Sequence, residues 1–204
     1  RVDIREELLA AACLLPLAES NIRMPVSTHI TCSDATPTSI GTTFTTVPRD
    51  MSHALFKHGE HKVAYTRLDW QSEEWELGSW TGHELPETLR DAVACADWQV
   101  EDSYRLRHID HVNIQEARGV KAILKYQCRF KGKAIVLNGT DSRVCLGSWA
   151  KGRASSVALN SIWRQCLGLC VLCDKRLVQF WLDSKDNPAD DPSRLVPLRT
   201  PREA

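Results

Sequence analysis

The chain has 204 residues, 43% of them hydrophobic and 25% charged, and a formal net charge of +0. This composition fits one generous globular domain, or a domain with an attached segment, and excludes a disordered or fibrous chain. No apolar run approaches the ~20 residues of a membrane helix. The longest, Leu8–Ala18, contains Pro16.

Residues 3–20 read as a helix: Asp3 can cap it, Glu6 follows at capping-box spacing, and Leu8, Leu9, Ala12 and Leu15 form a stripe. Residues 21–27 are a connector. Residues 28–47, THITCSDATPTSIGTTFTTV, read as two β-strands joined at Thr36-Pro37-Thr38, with Asp34 ending the first. Residues 48–102 read as an insertion with a strand at 62–70, a helix at about 86–96 with Pro86 near its start, and Trp70, Trp75, Trp80 and Trp98 as core residues. The insertion could gate a substrate or contact a partner.

Residues 103–109, SYRLRHI, alternate as a strand does. From Asn113 the period becomes helical, with Ala117, Val120, Ile123 and Leu124 on one side, Asn113 as N-cap and Glu116 three residues on. Residues 133–140 form a strand, and 156–174 form a helix with Leu159, Ile162, Trp163, Cys166, Cys170 and Cys173 as its stripe. Residues 176–182 form a last strand, after which Pro188 can start a short helix. The order predicts an α/β fold: a mixed sheet flanked by helices, with an insertion between the second and third strands.

The neutral total hides a segregation of charge. Residues 118–153 hold nine basic residues and one acid, Asp141, a net charge of +8; residues 50–102 hold twelve acids and four basic residues, a net charge of −8. A basic window around one isolated aspartate fits a local polyanion contact.

Four acids stand out by position. Asp34 closes one strand and Asp141 another, Glu116 lies in the first turns of a helix, and Asp190 opens the last helix. Carboxylates converging from separate elements suit phosphodiester hydrolysis, in which two divalent ions activate water and stabilise the leaving oxygen. Mg²⁺ prefers such hard oxygen donors. Without metal the carboxylates repel, so they make a poor scaffold.

Four motifs then make the resemblance specific. CSDAT at 32–36, HVNIQEARGVKAIL at 111–124, TDSRV at 140–144 and DNPADDPSR at 186–194 occur in the order found in a ribonuclease H domain that follows the reverse transcriptase of a retroelement. The resemblance covers about 28–195, while 1–27 resemble the segment connecting to an upstream polymerase domain and 196–204 form a tail. It implies a ribonuclease H-like fold and an endonuclease that cleaves the RNA strand of RNA–DNA hybrids during reverse transcription. Asp34, Glu116, Asp141 and Asp190 are then its metal ligands and catalytic carboxylates, holding two Mg²⁺ ions for which Mn²⁺ can substitute. Asp191 rivals Asp190, which fits better because it stands four residues before Arg194. Lys151 and Arg153, then Arg143, are the candidate phosphate contacts. The products would carry a 3′-hydroxyl and a 5′-phosphate.

The chain departs from the family pattern in two respects, the acidic insertion between the second and third strands and a missing histidine. None of its seven His lies after 111, and Trp181 stands where related domains have a late His, which implies slower turnover or altered product release. Two alternatives keep the fold: a catalytically silent interaction module, and a related nuclease or transposase.

Other signals have plainer explanations. Cys166, Cys170 and Cys173 match an iron–sulfur spacing, but spacings of four and three also place them on one apolar helix face. His53, His58 and His61 lack a second ligand pair for zinc. The eight cysteines are scattered and no signal peptide precedes them, so we expect reduced thiols in an intracellular protein, cytoplasmic or nuclear. For the same reason the glycosylation pattern at Asn138-Gly139-Thr140 is discounted. Arg1 in first place gives the expectation of a piece from a longer chain.

Overall fold

Runs of β-branched residues build a five-stranded sheet in the computed structural model, which describes residues 2–17, 21–61 and 84–201. β1 (His29–Ala35) and β2 (Ser39–Thr46) form the expected hairpin. The Thr36 hydroxyl closes its turn by accepting from the N–H groups of Thr38 and Ser39 at 3.2 and 3.0 Å. β3 (Gln99–Arg105) pairs antiparallel with β2, while β4 (Ala134–Thr140) runs parallel to β1 and β5 (Lys175–Trp181) parallel to β4. The spatial order β3-β2-β1-β4-β5, with helices on its faces, is a ribonuclease H-like arrangement.

Among the described residues the α-helices are α1 (Val2–Leu14), α2 (Arg49–Lys57), α3 (Glu87–Ala94), α4 (Val112–Gln127), α5 (Arg143–Lys151), α6 (Val157–Leu172) and α7 (Asp190–Ser193). Successive strand residues point to opposite faces, and in β4 and β5 both sets are apolar, so helices pack on each side. Ile30, Cys32, Ile135, Leu137, Val178 and Phe180 meet Leu55 of α2 and Val93 of α3 on one face. Val136 and Leu177 meet Ala117, Val120, Ile123 and Leu124 of α4, and Ile162, Trp163 and Cys166 of α6, on the other. The described part of the insertion is thus a structural layer, with Trp98 in its core donating to the Val93 carbonyl at 2.8 Å. The expected strand at 62–70, and Trp70, Trp75 and Trp80, lie outside the described residues.

Three expectations need correction. The third strand begins at Gln99, not Ser103, so the insertion ends earlier than 102. It is an edge strand with mostly exposed residues and a register shift opposite Thr42/Thr43, so burial imposes little alternation on it. The N-cap of α4 is His111, whose Nδ1 accepts from the Asn113 N–H at 3.2 Å; Asn113 is already helical. Helix α5 follows Asp141, where the sequence reading places no element. Ser142 caps it, and Gly152 ends it at φ 72°, where a residue with a Cβ would be strained. The helix expected over 3–20 ends at Leu14, where a 3₁₀ turn at Leu15–Leu17 carries Pro16, and Leu8 and Leu15 of its expected stripe are 67% and 71% exposed.

If α2 is part of the core, Leu55→Ala should lower stability by about 2–5 kcal/mol, the range for a fully buried leucine. Chemical denaturation measures this. A loss below about 0.5 kcal/mol would show that the insertion packs on the sheet without stabilising it.

Candidate metal centre

Strand register creates the site. β1 and β4 run parallel with Cys32 opposite Gly139, so Asp34 and Asp141 each lie two residues beyond a matched pair. Neighbouring strands are about 4.8 Å apart, which brings the two side chains together at the same sheet end. Glu116 arrives from α4. Gly119, three residues on, lies against Ser33 and Ile40, which sets the helix across β1 and β2.

Asp34, Glu116 and Asp141 each offer a ligand atom within 4.8 Å of the others. Asp34 and Glu116 are each only 6% exposed. Among the described residues, Glu116 Oε2 and Asp141 Oδ1 are buried and have no hydrogen-bond partner. Two orphaned, buried carboxylate oxygens beside a third carboxylate fit a hard divalent cation.

Electrostatics give the same account. Burial, followed by the charges of Asp34 and Asp141, pushes the Glu116 carboxyl up to about 9, against the Ala35 N–H. Burial also pushes Asp34 up to about 6; the Ser193 hydroxyl opposes this, and the charges of Asp141 and Asp190 reinforce it. Without a cation the cluster holds protons in its place.

Asp190 lies beside the trio but is not within the same close group. Arg194 Nε donates to its Oδ1 at 2.9 Å, and Arg199 reaches its Oδ2 at 3.5 Å. Its charge acts on Asp34, whereas Asp191 is taken by Arg199 at 2.6 and 2.9 Å. Of the two rivals, Asp190 is the one electrostatically coupled to the site.

The candidate phosphate contacts converge on one groove of about 740 Å³, which Arg143, Lys151 and Arg153 line together with His111 and Asn113. Arg143 also lies over the Trp181 ring at 5.1 Å. Glu60 of the insertion borders this groove, its N–H donating to the Gln179 carbonyl of β5 at 2.7 Å.

Two serines were missed by sequence reasoning. Ser193 donates to Asp34 Oδ2 and Ser184 to Asp141 Oδ2. Ser193 stands inside the last motif, but nothing in a sequence shows which side chain its hydroxyl meets.

Cys166 and Cys170 lie on the buried face of α6 with Leu159, Ile162 and Trp163, and burial pushes their thiols up to about 12 and about 11. His61 Nε2 contacts the Phe56 carbonyl at 2.6 Å, and no histidine joins a metal-holding group among the described residues. Nor is any described helix long and apolar enough to cross a membrane. No family model, curated protein or solved structure matches the chain.

The raised carboxyls set a pH dependence. The folded chain keeps protons on Glu116 to about 9 and on Asp34 to about 6, while the ordinary values are 4.5 and 3.8. The folded state therefore binds more protons across that window, and stability falls as pH rises. Metal-free protein should unfold at lower urea at pH 8.5 than at pH 5.5, and Glu116→Gln should flatten the decline. An unchanged midpoint in wild-type protein would contradict the electrostatic account.

Proposed function

We propose that the protein is a divalent-metal-dependent ribonuclease H that cleaves the RNA strand of an RNA–DNA hybrid and works with a reverse transcriptase. The observation that carries this reading is the convergence of Asp34, Glu116 and Asp141 within 4.8 Å, with two carboxylate oxygens buried and unpartnered among the described residues.

All the donors are carboxylate oxygens, which favours Mg²⁺ or Mn²⁺ over softer ions. Asp34, Glu116 and Asp141 would hold metal, and Asp190 would complete the set for two ions once it turns from Arg194. Bound divalent metal supplies Lewis-acid activation of water and charge for the leaving oxygen. The protein's own groups bind and orient the substrate. Arg143, two residues after Asp141, lines one groove with Lys151 and Arg153, and the three suit phosphates spaced along a strand. Recognition of RNA would use its 2′-hydroxyls and the shape of the hybrid groove. Trp181 stands under Arg143 and brings no imidazole, so no proton transfer is assigned to that position.

The decisive assay presents an RNA–DNA hybrid with Mg²⁺, alongside single- and double-stranded controls. Cleavage confined to RNA in the hybrid, and reduced at least about 100-fold in Asp141→Asn, supports the reading. Cutting of DNA would favour a nuclease or transposase. No cleavage by folded protein, with Mn²⁺ also tried, would favour a silent interaction module.

Substrate binding gives an independent check. In an Asp141→Asn background, Lys151→Ala with Arg153→Ala should weaken hybrid binding and reduce the slope of log K against log salt by about 2, one for each lost phosphate contact. Fluorescence anisotropy reads this. An unchanged slope would remove the groove from the substrate's path.

A further inference from the structure

The segment after β5 returns to the carboxylates at two points. Ser184, in a single 3₁₀ turn, donates to Asp141 Oδ2, and Ser193, in α7, donates to Asp34 Oδ2. These are the two strand-end carboxylates of the trio, and each has one oxygen held by a serine from the same ten-residue stretch.

That stretch is itself fixed. Asn187, fully buried, donates from Nδ2 to the Ser33 carbonyl at 3.2 Å and accepts from the Ala189 N–H at 3.1 Å. Ser39 donates to the Ser193 carbonyl at 2.5 Å, and Ser103 to the Pro192 carbonyl at 2.7 Å. A Cβ on Gly41 would meet Ser193 N at 2.2 Å, Pro192 C at 2.6 Å and the Ala189 carbonyl oxygen at 2.7 Å. Glycine is required there for α7 to close on β2 and bring Ser193 to Asp34.

We infer that Ser184 and Ser193 are positioning residues: each holds one carboxylate oxygen so that the carboxylate's remaining lone pairs face a divalent cation. A carboxylate oxygen has two lone pairs, and a serine uses one of them. Asp141 Oδ1, opposite the oxygen held by Ser184, is buried and unpartnered among the described residues. The Ser193 hydroxyl also lies 2.8 Å from the Asp190 carbonyl, but a single proton favours the charged acceptor. Free to rotate, Asp34 and Asp141 would turn apart under their mutual repulsion. The serines remove that freedom before metal arrives. The inference rests on the metal-centre reading above.

The test is calorimetric titration of the folded, metal-free chain with Mn²⁺, with melting temperature measured in parallel. Ser184 is exposed, so Ser184→Ala should leave the fold intact and weaken Mn²⁺ binding about 10–100-fold. Ser184→Thr, which keeps the hydroxyl, should restore it. Ser193→Ala should act in the same direction; if that buried variant fails to fold, the Ser184 pair decides. A serine with a merely structural role would lower the melting temperature without changing the affinity of the folded protein. Wild-type affinity in Ser184→Ala would overturn the inference. Should folded wild-type protein bind no Mn²⁺, while Asp141→Asn behaves identically, the metal-centre reading itself fails and takes this one with it.

Discussion

Three carboxylates crowded at one end of a sheet are the constraint on which the rest of the structure depends. Two of them are almost fully buried, and burial and mutual charge both oppose their ionisation. An arrangement so unfavourable in a metal-free fold persists only if surrounding groups hold it. The holding groups are visible: the parallel register of β1 and β4, the seat of α4 on β1, and the serines of the C-terminal segment. A cation would turn the same repulsion into attraction, which is why the cluster is more intelligible as a binding site than as a scaffold.

Further back along the strands lies a layer of buried polar groups. Thr31 donates to the Leu137 carbonyl at 2.9 Å, and Asn138 donates to the Ser33 hydroxyl at 3.1 Å. These residues are fully buried and lie in the two strands that carry Asp34 and Asp141. Buried polar groups that satisfy one another fix a single register, because a slip would orphan several at once. The aspartates are therefore aligned by hydrogen bonds deeper in the sheet as well as by their own contacts.

Those parts of the fold whose local chemistry coincides with their burial were legible in the sequence. The hairpin carried its turn residues, α6 its apolar stripe, and β4 a short apolar run bounded by turn residues. β3 was misplaced because an exposed edge strand has no buried face to impose alternation, and α5 was missed because so short a helix buries only Cys145 and Leu146 and carries little apolar periodicity. Asp34, Glu116 and Asp141 were legible through motif order; their convergence follows from a parallel pairing that no local pattern encodes. The serine contacts were not legible, since they join residues 43 and 159 positions apart.

The segregation of charge acquires a spatial meaning only in the fold. Nine basic residues surround Asp141 in sequence, yet they are not equivalent. Arg118 is paired with Asp110 at 2.7 Å, Lys121 donates to Gln165 at 2.6 Å, and Lys133 faces Asp174 at 3.9 Å. Arg143, Lys151 and Arg153 instead line one groove, with Arg143 two residues from Asp141 along the chain. The described part of the insertion covers the sheet face opposite α4 and α6, and borders this groove at Glu60, held by main-chain pairing to Gln179. The fold thus splits a window that is uniformly basic in sequence into side chains held by partners across the structure and side chains gathered along one groove.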